Sequence, residues 1–149
     1  MKPLVVLAIA FAASLGITAL IDGNPDVRLS GRIALSAMLL LTCIGHFKFP
    51  KGMAMMIPDF IPAKVQFVYI TGIFEFLAAI GLLIPSTERI TGILLIIFFV
   101  LVLPANISAA IRRIDYEKGT IGGPGPEYLW FRIPFQLLLI FWVYWFAVR

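Results

Sequence analysis

Five long apolar stretches decide what this chain can become: approximately Leu4 to Ile21, Ile33 to Phe47, Val65 to Ile84, Ile90 to Ile111 and Leu129 to Val148. A helix needs about 20 such residues to cross a bilayer. No single soluble core would hide them all, because 61% of the 149 residues are hydrophobic and only 13% are charged. The second stretch is short as counted, but it reaches full length if its helix begins near Leu29, with Arg28 and Arg32 extending to the headgroups. The pattern predicts an all-α fold, a polytopic transmembrane helix bundle. Its single domain covers residues 1–149, because only short connections are left between the stretches.

The formal charge of +4 raises the question of nucleic acid, but Lys and Arg sit singly in short connections and form no stripe. They sort by side instead. Lys2, Lys48, Lys51, Lys64, Arg112, Arg113, Lys118 and Arg132 fall on the N-terminal side, and only Arg28, Arg32, Arg89 and Arg149 on the other. The positive-inside rule then places the N-terminus in the cytoplasm and the C-terminus outside. Trp130, Trp142, Tyr144 and Trp145 lie near the two ends of the last stretch, as interfacial anchors do. The first stretch exceeds the usual signal-peptide core and has no small-residue site after it before Asp22, so it is expected to remain as a helix.

Between the stretches, Gly23-Asn24-Pro25-Asp26 and Pro85-Ser86-Thr87-Glu88 read as tight turns. In the second of these, Ser86 or Thr87 is expected to cap the next helix and Glu88 to favour the positive end of its dipole. The connection from Lys48 to Lys64 mixes Pro50, Pro58 and Pro62 with Met53, Met55, Met56 and Ile57. Too apolar for a solvated loop and too broken for a span, it should lie along the interface or fold back on the bundle. The three methionines are soft enough for Cu(I), but flexible packing is the commoner use of such residues. The glycines from Gly119 to Gly125 follow no strand and precede no GK[ST], so they read as a plain loop.

Few groups remain to carry chemistry. The lone Cys43 forms neither an internal disulfide nor a CxxC pair, and the lone His46 does not supply paired haem ligands. Glu75 is the most informative residue. It lies about 11 residues into the third stretch, roughly 16 Å along a helix, where an ionised carboxylate is expensive. Thr71, Gly72, Ala78 and Ala79 share its face, which suits close helix contact. Its partner is expected on the last helix, as Arg132 or Gln136, and two readings stay open: a structural hydrogen bond, or a ligand or proton role. His46 ends the second stretch and is either a dipole cap or a site residue. Tyr128, Arg132 and Gln136 recur at i, i+4 and i+8 on one stripe. Pro104 frees a carbonyl near Asn106 that an amide or water can satisfy. Alternating helix directions bring these groups to one height, predicting a cytoplasm-facing polar pocket of His46, Glu75, Asn106, Arg132 and Gln136, with no metal.

Gly45-His46-Phe47, Pro58-Asp59-Phe60-Ile61-Pro62, Thr71-Gly72-Ile73-Phe74-Glu75, Gly81-Leu82-Leu83-Ile84-Pro85, Leu103-Pro104-Ala105-Asn106-Ile107 and Leu129 to Gln136 follow one another in a way that resembles the DoxX-like membrane proteins. The resemblance implies a four-helix core, here with one further span. It also implies work as a membrane anchor or accessory partner of a redox enzyme, without independent catalytic activity. A quinone-binding subunit is the alternative and would make quinone the cofactor. A small transporter or proton relay is a second alternative, resting on Glu75. The lipid bilayer is the partner common to all three.

Overall fold

The computed structural model describes residues 2–149. Its helices are α1 (Lys2–Asp22), α2 (Val27–Lys48), the short α3 (Pro50–Met56), α4 (Lys64–Gly81), α5 (Glu88–Ile111) and α6 (Leu129–Val143). A 3₁₀ turn at Pro126–Tyr128 leads into α6, and a π-helical segment at Tyr144–Val148 continues it. Five segments, namely α1, α2, α4, α5 and Pro126–Val148, are long and apolar enough to cross a membrane. Their outer surfaces keep large hydrophobics open, with Leu20 87% and Leu101 70% exposed. A bundle finished in water would turn such residues inward, so this surface fits a multi-pass membrane protein.

The interior forms around α2, whose Leu35, Met38 and Leu39 meet Leu82, Leu95, Leu139 and Val143 in one cluster. α1 and α4 flank α2 closely, and α5 pairs with α6. Small residues make the approaches possible: Ser36 donates to the Ala79 carbonyl at 2.9 Å, and Gly31 leaves room for the Phe146 ring. The Trp142 indole donates to the Gly31 carbonyl at 2.9 Å. Trp142 therefore ties α6 to α2, whereas Trp130 is 87% exposed.

The helix starts differ in chemistry. Asp26 caps α2, accepting from the Leu29 amide at 2.8 Å. Before α5 the expected cap fails, because the Thr87 hydroxyl donates backward to the Gly81 carbonyl at 2.9 Å. Glu88 instead reaches across to α2, pairing with Arg32 and standing 3.8 Å from Arg28.

The Pro- and Met-containing connection folds back on the bundle as α3, which lies against α4 with Ala54 and Met56 buried. The glycine-rich connection is more than a plain loop. Ile114–Asp115 and Thr120–Ile121 form a small antiparallel hairpin, with Ile114 opposite Ile121 and Asp115 opposite Thr120. Asp115 Oδ1 accepts from the amides of Glu117 and Lys118 at 3.1 and 3.2 Å, and Gly119 closes the turn at φ 65°. The hairpin rests on α3, where Gly52 is bare enough to admit the Tyr116 carbonyl.

Candidate functional site

A cavity of about 490 Å³ lies between α2 and α4 on one side and α5 and α6 on the other. His46, Glu75, Asn106, Arg132 and Gln136 all line it. Apolar walls come from Met38, Phe98, Phe99, Phe135 and Leu139, and Met53 and Met56 of α3 lie over one side. Its volume falls within the range of small-molecule sites, and so does its make-up of apolar walls with a few convergent polar groups.

Glu75 is buried, 6% exposed, yet its partner is not on the last helix. Its Oε1 stands 3.4 Å from His46 Nε2, on α2. Glycine makes this approach possible: a Cβ at Gly72 would lie 2.7 Å from the His46 Cβ, so α4 settles directly against the histidine. His46 lies in the last turn of α2 and is level with Gly72, eight residues beyond Lys64, so the start of α4 extends past that end and also packs on α3. Counting residues along α4 therefore overstates the depth of Glu75 relative to α2.

The histidine is oriented by α4. Its Nδ1 lies 2.9 Å from the Val68 carbonyl and 3.1 Å from the Thr71 hydroxyl, which itself donates to Val68 O at 2.8 Å. A carbonyl only accepts, so Nδ1 carries a proton and donates it there. The remaining position at Nε2 then shares a single proton with Glu75 Oε1, as an ion pair or as two neutral groups. In either arrangement Glu75 Oε2 is an acceptor. That oxygen is buried and has no hydrogen-bond partner among the described residues, a costly state unless a donor enters the cavity.

Gln136 is spoken for. Its Nε2 donates to the Phe99 carbonyl at 2.7 Å, tying α6 to α5 one residue before the Val100 carbonyl that Pro104 deprives of a donor. Arg132 does not snorkel away from the bundle. It lines the cavity, and among the described residues it has no carboxylate or hydrogen-bond acceptor, only the Tyr128 ring at 5.8 Å. Asn106 likewise makes no side-chain hydrogen bond among the described residues. The cavity thus has an acceptor at Glu75 and free donors at Asn106 and Arg132.

The mouth was hidden from sequence reasoning. Lys2 donates to Glu117 Oε1 at 2.8 Å, joining the start of α1 to the hairpin, and both residues line the cavity. Tyr116 lies beside them; burial first, and Glu117 next, push its phenol above its ordinary pKa, so it is a neutral hydroxyl near pH 7. The only signal was the Asp115 to Gly119 turn chemistry, which does not say where the hairpin lands.

Fold and cavity together define a helical bundle suited to a membrane and carrying an internal polar site. Residues 35–147 match the model of a family described as a domain of unknown function, DUF8561. That match spans most of the chain, which belongs to this family. The DoxX-like assignment is thereby corrected: the short motifs that carried it, such as Gly45-His46-Phe47 and Leu103-Pro104-Ala105-Asn106-Ile107, fall in the matched region but belong to another family. Glycine at helix contacts, proline at helix ends and apolar filler recur in many unrelated membrane bundles. No curated protein and no solved structure matches the chain.

Proposed function

We propose that this multi-pass membrane protein holds the head of an amphipathic molecule of the quinol class in its cavity. The observation that carries the reading is the unpartnered Glu75 Oε2, in a cavity that also holds unengaged donors at Asn106 and Arg132. A hydroxyl on the head donates to Oε2, and an oxygen at its far side accepts from Asn106 or Arg132. The apolar walls receive the ring and the start of its tail. A fully oxidised quinone has no proton for Oε2 and is the poorer fit.

The test is titration of the detergent-purified protein with a short-chain quinol under anaerobic conditions, and with the matching quinone. Saturable binding is expected, tighter for the quinol, and Arg132→Gln, which removes a cationic donor that lines the cavity, should weaken it by about 0.5 to 3 kcal/mol, the range for one hydrogen bond. Absence of both saturable binding and co-purified quinol would remove this reading. A proton-relay reading draws on the shared proton of His46 and Glu75 and predicts proton flux into vesicles without any added ligand.

The same proposal puts the N-terminus and the hairpin end of the bundle in the cytoplasm, supported by eight basic side chains at that end against four at the other. An alkaline phosphatase fused after Arg149 should be active and a fluorescent protein at that place dark. The reverse result would invert the orientation.

A further inference from the structure

A second cavity, of about 400 Å³, opens outside the first, between α3, the start of α4, the end of α5 and the hairpin. Lys51, Lys64 and Arg112 line it with one carboxylate, Asp59, so positive charge is in surplus by two. The side chains are not equivalent. Lys64 is committed to Asp59 Oδ1 at 2.6 Å, and with Arg112 beyond it holds that carboxyl below its ordinary pKa. Arg112 is held by carbonyls: its Nη2 donates to Met56 and Ile57 at 3.2 and 3.4 Å, and its Nε donates to Ser108 Oγ at 3.1 Å. That leaves Nη1 without a protein partner among the described residues, on a guanidinium that has already lost its freedom. Lys51 is exposed and makes no ion pair among the described residues.

We infer that this cavity binds the phosphodiester headgroup of an anionic phospholipid, between the Arg112 guanidinium and the Lys51 ammonium. Its place in the fold argues for a lipid over free phosphate. Lys64 is the first residue of one membrane-length helix and Arg112 directly follows the last residue of another, the level at which headgroups meet such helices. The walls between the charges are apolar, including Met55 and Val65. Ile121, on the rim, is 77% exposed, and neighbouring Phe60 is 84% exposed, both free to meet acyl chains. A phosphate ion uses the charges alone, whereas a phospholipid uses both.

The full chain in mild detergent is titrated with phosphatidylglycerol and with phosphatidylcholine of the same acyl length, and bound lipid is read by native mass spectrometry. Phosphatidylglycerol should be retained in preference, and Lys51→Gln should weaken it about fivefold, the usual effect of one basic residue near a lipid surface. Lys118→Gln removes the same charge from the hairpin, outside the cavity, and should leave retention unchanged. Three results would each overturn the inference. Equal retention of the two lipids would remove the anionic preference, and an equal loss in Lys118→Gln would reduce the site to diffuse surface charge. Displacement of the lipid by millimolar inorganic phosphate would make it a phosphate site. None of them bears on quinol binding in the inner cavity, which involves neither Lys51 nor Lys118.

Discussion

Glu75→Ala is expected to destabilise the protein in detergent by about 1 to 3 kcal/mol and to reduce quinol binding at least tenfold, while Glu75→Gln keeps the stability. Alanine strips His46 Nε2 of its partner and enlarges the cavity beside Phe98 and Phe99. Glutamine has the same shape. With Nδ1–H still donating to Val68, the amide nitrogen donates to Nε2 and the amide oxygen takes the position of Oε2. Binding in Glu75→Gln then reports the charge state of the pair. A drop of several-fold means that wild-type Oε2 is anionic and its bond charge-assisted; no change means that the pair is neutral. Thermal unfolding followed by circular dichroism, with the quinol titration alongside, reads both quantities. Wild-type stability in Glu75→Ala would mean that His46 and Glu75 are not coupled, and the proposed site would lose its centre.

The spans were legible because lipid selects on length and apolarity, which are properties of a local window. Each of the five predicted stretches falls on a helix of membrane length, the third running on from Gly81 to Ile84 past the end of α4. The polar groups were legible for a related reason: an acid, an amide or an arginine within an apolar run must turn inward. His46, Glu75, Asn106, Arg132 and Gln136 accordingly line one cavity. Their pairing was not legible. Heights estimated from helix ends assumed that all helices end at one level, but α4 overruns α2, and this brings Glu75 to His46 instead of to Arg132 or Gln136. The family was misjudged for a further reason: motifs of Gly, Pro and apolar residues report membrane helix packing more than descent. The hairpin escaped because two-residue strands have no periodicity to detect.

Glu88 is the residue whose importance was most understated, and Glu88→Ala should cost about 3 kcal/mol, more than any loss of a helix-end charge alone. From sequence it was a favourable charge in the first turn of α5. In the fold it pairs with Arg32 across the gap to α2, and the two side chains are only 18% and 12% exposed. Removing the carboxylate leaves that guanidinium largely buried without a counter-charge, the expensive outcome for such a pair. Arg28, at 3.8 Å and half exposed, should contribute under about 1 kcal/mol, so Arg28→Gln serves as the control. The companion experiment is the double variant Arg32→Leu with Glu88→Leu. Replacing both charges by apolar groups removes the desolvation cost along with the attraction, so the double variant should recover most of the stability lost by Glu88→Ala. A double variant no more stable than Glu88→Ala would mean that the two residues act separately. Their ion pair would then not be what joins α2 to α5 at the end of the bundle opposite the cavity mouth.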